Sequence, residues 1–442
     1  MIHLAWSIVE RVLPRMASAL VMLVLAAVLT PEIVGVYAWM VLSLTLVQTV
    51  GDTAARQTAV IHAGTIAGAR FVWRFRVATT LAGGAALAIV VLMLLLTQDE
   101  PMRWQVVALL PFVLVPGCSA LGLDALVSLQ LAGRWRDIAS AQAVSSLASL
   151  CCSIPTLLLT QSLLASALQA TLAELGFALL NRRRAARLLR DTTETVIPAP
   201  VAPGAPADGE PNHVAPVRSA ARDYLHTAVF ALLGWGQGQT DRLSIGTLAG
   251  TAQLGQYSFA MSLSRSIGDA AAVAAVNVVR PVLAEAARTG RRSEAARIAE
   301  GSLRRSIPLA ALAAVVTTAA VQLGVAPFLG ASWDPALALV PILSLAVVPS
   351  VVAWTITAIL QADDGMQWAS WIKAIGVVLS VPIGIVALTD LQFAAWLVSG
   401  RELLIMGLLL LAARRQAPWR GALGATVVVL GGAAVWWAVG AW

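Results

Sequence analysis

Residues 234–269 read GWGQGQTDRLSIGTLAGTAQLGQYSFAMSLSRSIGD and set ions into a sequence that is otherwise apolar enough for a bilayer. The uncharged turn Ala249 to Gln253 divides the stretch into two helices. Helical spacing puts Gln237, Asp241 and Ser244 on one face of the first, and Ser258, Ser262, Arg265 and Asp269 on one face of the second. A charge at mid-membrane costs roughly 2.5–3.5 kcal/mol on insertion scales, so these faces are expected to look into protein or a water-filled interior. Arg265 and Asp269, four residues apart, fit two roles: an ion pair that ties helices together, or groups that line a cavity.

The sequence on either side explains why charge is conspicuous here. Of 442 residues, 59% are hydrophobic and 12% charged, with a mean hydropathy of +0.80, which leaves too little polar surface for a soluble domain and points to an all-α, polytopic membrane protein. The net charge of +7 is almost wholly arginine, since Lys373 is the only lysine. These arginines fall in short clusters between apolar runs, which is the pattern of topology signals and not of a nucleic-acid surface. Cys118, Cys151 and Cys152 sit inside predicted helices, with neither a disulfide framework nor a metal-ligand spacing.

Apolar runs long enough for a bilayer, about 20 residues, organise the chain as two six-helix bundles. A first lobe spans residues 1–190, a flexible cytosolic linker rich in Pro, Ala and Gly spans 191–220, and a second lobe spans 221–415. Residues 416–442 are expected to add one more helix, with Trp436, Trp437 and Trp442 in an aromatic belt. One alternating set of loops holds Arg70, Arg74 and Arg76, then Arg134 and Arg136, the cluster Arg182 to Arg190, Arg288 to Arg305, and Arg414 to Arg420. The other set is short and acidic, with Asp99, Glu100, Asp334 and Asp390 around a single Arg103. The positive-inside rule therefore places the first set, and the N-terminus, in the cytosol. The halves also read as parallel repeats. Gly35 and Tyr37 correspond to Gly255 and Tyr257 at a shift of 220 (255 − 35), and Pro111 corresponds to Pro341 at a shift of 230 (341 − 111).

Two short motifs carry a family resemblance. Asp241-Arg242-Leu243-Ser244-Ile245-Gly246 followed by Leu254-Gly255-Gln256-Tyr257-Ser258-Phe259-Ala260 resembles the D-x-L-x-I-G … L-G-x-Y-S-x-A signature that opens the second half of polysaccharide exporters. Pro31 to Ala38, PEIVGVYA, resembles the P-x-x-x-G-x-Y-A segment of the same family, the O-antigen-type flippases of the multidrug/oligosaccharidyl-lipid/polysaccharide superfamily. The resemblance implies a cargo of undecaprenyl-diphosphate-linked oligosaccharide, carried by alternating access for O-antigen, capsule or exopolysaccharide synthesis. It also implies a cationic cavity for the head group, with the polyprenyl tail left in the bilayer, and a polysaccharide polymerase and chain-length regulator as partners.

The residue inventory fits an anionic ligand. Arg15, Arg56, Arg242, Arg265 and Arg401 lie at membrane depth, and guanidinium groups bind phosphate oxygens bidentately, while Gln237 can meet sugar hydroxyls. Arg15 fits interfacial snorkelling equally well, and Arg401 with Glu402 fits a self-neutralising pair. Asp52, Glu174, Asp241 and Asp269 are candidates for ion coupling or structural pairing, with Asp124 and Glu174 expected to stand alone. The four histidines are scattered, and no H-E-x-x-H, G-x-S-x-G or G-x-x-x-x-G-K-[ST] occurs, so neither an enzyme nor a cofactor is expected. A drug antiporter of the same superfamily is the nearer alternative, though a small cation suits an acidic cavity better. A membrane polysaccharide polymerase is the remoter one, because every outer loop here is short.

Overall fold

The computed structural model describes residues 2–62, 66–194, 217–266, 291–362 and 365–414, with isolated positions beyond, and among these it is helical with no strand. In the first half α1 (Ile2–Val28) leads to α2 (Pro31–Gln48), which opens on a proline whose missing N–H would have had no partner there. A π-helical turn, Thr49–Thr53, joins α2 to α3 (Ala54–Ile61), and a second, Thr79–Gly83, joins α4 (Ile66–Ala78) to α5 (Gly84–Thr97). α6 (Glu100–Val107) passes through a 3-10 turn, Leu110–Leu114, into α7 (Val115–Leu131), and α8 (Trp135–Thr160) and α9 (Leu164–Glu194) follow. The second half comprises α10 (Val217–Leu248), α11 (251–266), α12 (Arg292–Ala320), α13 (Asp334–Ser344), α14 (Val347–Ala362), α15 (Met366–Val386) and α16 (Leu391–Ala412).

Eight of the described helices are long and apolar enough to cross a membrane, or nine when α13 and α14, bent by 45° at their junction, count as one span. The chain is a multi-pass membrane protein. α10 is not among these spans, since its second half carries Gln237, Gln239, Asp241 and Arg242. The turn expected at Ala249 to Gln253 is realised at Ala249 and Gly250, where Gly250 takes φ +97° and its N–H caps the Ile245 carbonyl at 3.2 Å. A left-handed residue ends a helix there at little steric cost only if it is glycine.

The helices flanking the expected linker are longer than their apolar runs. α9 continues past Asn181 to Glu194 because Ala185 and Leu188 still find an apolar pocket against Ala125, Leu126, Leu129 and Ile138, and Arg184 Nη1 donates to Ser140 Oγ at 2.8 Å. The Pro-rich part of that linker, 195–216, lies outside the described residues, as does nearly all of 416–442.

Helix neighbours lie mostly within each half of the sequence, and α10 also packs on α2, α3 and α4. α8 packs on α1 and α9, α7 on α9 and α4, and α2 on α5; in the second half α15 packs on α10 and α16, α12 on α14, and α13 on α16. The α10–α15 contact is unusually close because α15 offers a small-residue face, Gly376, Ser380 and Gly384. A Cβ at Gly384 would fall 2.3 Å from Ser244 Cβ, and one at Gly376 would fall 2.8 Å from Gln237 Cγ. Small residues four apart let helix backbones approach, which is a principal source of cohesion where lipid removes the hydrophobic drive between helices.

The halves meet through equivalent residues. A Cβ on Gly35 would lie 1.8 Å from the Thr251 carbonyl oxygen, and one on Gly255 would lie 1.9 Å from the Pro31 carbonyl oxygen. Residues 31 and 35 thus touch 251 and 255, each displaced by 220 (251 − 31), so the contact is self-complementary about a pseudo-two-fold axis. The largest apolar cluster spans this seam, from Leu25, Tyr37 and Met40 to Tyr257, Phe259 and Trp333. The 3-10 turn precedes α7 and the bend precedes α14, whose first residues, Val115 and Val347, lie at a shift of 232 (347 − 115).

Candidate functional site

α10 stands between the halves and serves both. Its outward-turning residues bond to the first half: Trp235 Nε1 donates to Thr45 Oγ1 at 3.1 Å, Tyr224 Oη donates to the Val50 carbonyl at 3.0 Å, and Asp223 meets His62 Nε2 at 3.0 Å. Val50 lies in the π-helical turn, whose altered backbone bonding leaves carbonyls for outside donors. The opposite face, Gln237, Asp241 and Ser244, is the one expected from spacing, and it packs against α15 and α16. All ten residues from Ala231 to Thr240, with Trp235 and Gln237 among them, are only half-buried.

Behind that face lies an enclosed polar cluster. Asp241, 0% exposed, accepts from the Tyr257 hydroxyl at 2.7 Å and from the Arg242 backbone N–H at 2.8 Å, with Arg401 Nη1 at 3.9 Å. Arg401 Nη2 donates to Glu402 Oε1 at 2.8 Å, and its Nη1 donates to Ser380 Oγ. The other oxygen of Glu402 meets Ser350 Oγ at 3.3 Å, and Ser350 Oγ accepts from Arg265 Nη2 at 2.6 Å. Seven side chains from α10, α11, α14, α15 and α16 are thereby linked. Arg401 and Glu402 are each only 4% exposed, whereas Arg265 and Arg242 are half-buried. Two carboxylates and two guanidiniums make the chain neutral in sum, the condition for holding ions at such depth.

The expected site residues are therefore distributed. Asp241, Arg265 and Arg401 come together, and of the two readings of Arg401 the geometry is that of the pair with Glu402. Gln237 sits beside Gly376, and Arg242 Nη1 donates to Gln239 Oε1 at 3.2 Å. Arg56 bonds elsewhere, to Gln130 Oε1 on α7 at 3.1 Å, and Glu174 is half-buried on α9. Asp124 does not stand alone, since Arg76 Nη1 reaches its carboxylate at 3.2 Å from α4. Neither residue lies near the other in sequence, and only helix packing joins them. The side chains of Arg15 and Asp52, and the whole of Asp269, lie outside the described residues. Spacing missed Ser350, Ser380 and Tyr257 as cluster members. A hydroxyl in an apolar helix reads as packing, and the single available signal was that Tyr257 sits sixteen residues from Asp241, across one tight turn.

No family model and no curated protein sequence matches the chain. Solved structures do. The likeness is one of all-helical fold. The chain is similar to the lipid II flippase MurJ in an inward closed conformation, with TM-score 0.66 at 10% identity over 96% of this chain and 91% of that one. It is also similar to an inward-facing multidrug resistance MATE family transporter (TM-score 0.57, 13% identity, 95% and 98% covered). A third likeness is to a MOP superfamily transporter from Pyrococcus furiosus described as having a binding pocket of reversed polarity (TM-score 0.55, 15% identity, 95% and 96% covered).

Proposed function

We propose that the chain is a flippase for lipid-linked oligosaccharide, moving undecaprenyl-diphosphate-linked glycan units across the cytoplasmic membrane by alternating access. The observation that carries this reading is Arg265. It lies fourteen residues into α11, about 20 Å along the helix axis, and stays half-buried while the acids behind it are enclosed. At that depth exposure to lipid is prohibitive, so the open side faces a cavity between the halves. A guanidinium there suits a diphosphate, with Arg242, Arg56, Arg15 and Gln237 as further contacts to head group and sugar. Arg401 is assigned to the enclosed pair instead. The likeness to a lipid II flippase supports a polyprenyl carrier, and the arginines oppose a cationic drug. O-antigen, capsule or exopolysaccharide units are all compatible with this chemistry.

In cells lacking their own flippase, Arg265→Ala is expected to reach the membrane at normal abundance yet lose export, and Arg265→Lys to recover only part, because a point charge cannot reproduce a planar fork. Full export by Arg265→Ala would refute the assignment. We place the arginine-rich ends and the N-terminus in the cytosol. In a cysteine-free background, an impermeant thiol reagent added outside intact cells should label Gln98→Cys and Ser332→Cys and spare Arg70→Cys and Arg187→Cys. The reverse pattern would invert the orientation.

A further inference from the structure

We infer that Ser350 positions Arg265 and links it to the enclosed Glu402–Arg401–Asp241 group. This rests on the proposed role of Arg265 in holding an anionic head group. Ser350 is 1% exposed and lies in the first turn of α14, directly after the 45° bend from α13. Its hydroxyl has one proton to donate and lone pairs to accept with. It accepts from Arg265 Nη2 at 2.6 Å, and its proton has two acceptors in reach, the Ala346 carbonyl at 2.8 Å and Glu402 Oε2 at 3.3 Å. Arg265 is thus tied to α14 and, one atom further, to α16.

An unrestrained arginine side chain has many rotamers, and bidentate recognition of a phosphate requires the plane of its fork to be set beforehand. Fixing Nη2 from a buried hydroxyl sets that plane by the packing of α14 instead of by the ligand. Because Ser350 stands where α13 and α14 join, a change in that bend would turn the fork. Ser399 Oγ donates to the Ile342 carbonyl at 2.8 Å and Thr318 Oγ1 lies 3.3 Å from Ser344 Oγ, so the bend is itself held from α16 and α12.

The test is a double-mutant cycle on purified protein with undecaprenyl diphosphate as probe, read by native mass spectrometry, alongside thermal unfolding without probe. Ser350→Ala is expected to weaken probe binding roughly tenfold or more, the lower end of the scale for a hydrogen bond to a charged group. In an Arg265→Ala background it is expected to add nothing. Ser350→Cys, similar in size but a poor acceptor, should behave as alanine does, and Ser350→Thr should restore most of the binding. The two unfolding shifts should be sub-additive, which marks a direct contact. Equal losses from Ser350→Ala with and without Arg265, or additive unfolding shifts, would overturn the inference. Failure of the unmodified protein to bind the probe would instead strike the proposed function, while the unfolding cycle still reports whether Ser350 holds Arg265.

Discussion

Alanine at Gly255 or Gly35 is expected to hold the two halves apart at their seam and stop export while leaving the protein folded. The added Cβ would meet a backbone carbonyl oxygen at 1.9 Å in the first case and 1.8 Å in the second. Carbon and oxygen approach no closer than about 3.3 Å even in favourable C–H···O contacts. Side-chain rotation cannot relieve such a clash, because the obstructing atom belongs to the facing chain, so α2 and α11 must separate. Helix propensity alone predicts the opposite sign, since alanine for a helical glycine stabilises by about 0.5–1 kcal/mol. Gly301→Ala and Gly407→Ala, in helices with open space around the site, are the controls and should show that gain. Cysteines at Ala38 and Leu254, buried at the seam, report the opening: protected in the parent, labelled in Gly255→Ala. Continued protection together with normal export would show that the seam yields without cost.

The glycine pair also shows what was legible in the sequence. That Gly35 and Gly255 are equivalent could be read from the shift of 220 they share with Tyr37 and Tyr257; that they touch could not, because a repeat says nothing of where its axis passes. Apolar run length located the helices and their turns, since the bilayer sets a minimum span, and it failed at α9, where a polar sequence stays helical by packing Ala185 and Leu188. For the site, spacing identified the face of Gln237, Asp241 and Ser244, yet it could not say what that face meets. Depth in the membrane marked the arginines as costly groups but could not sort them. Arg401 and Arg265 look alike in sequence, and they differ in that Arg401 is enclosed against Ser380 and Glu402 while Arg265 stays half-buried. Asp124 was expected to be isolated because its partner Arg76 is forty-eight residues away.

Arg401→Met is expected to be the most damaging single change in the second half, keeping the protein from accumulating in the membrane. Arg401 lies within reach of both Asp241 and Glu402, at 3.9 Å and 2.8 Å, and all three are at most 4% exposed. Its removal strands two carboxylates where water cannot follow, and breaking a buried pair typically costs about 3–5 kcal/mol. Arg265→Ala differs in kind, because that side chain is half-buried and water can take its place. The distinction is testable by compensation. In Arg401→Met with Glu402→Gln, one acid and one cation remain, Asp241 and Arg265, and Asp241 keeps its bonds from Tyr257 and the Arg242 N–H. Neutral glutamine can still accept from Ser350. The double variant should therefore recover most of the abundance and melting temperature that Arg401→Met loses, measured by fluorescence-detected size exclusion over a temperature series. Normal accumulation of Arg401→Met, or a double variant no better than the single, would mean that the cluster does not hold the second half together through charge balance. Recovery of folding without recovery of export would separate the two functions of this cluster, one holding five helices together and the other supporting Arg265.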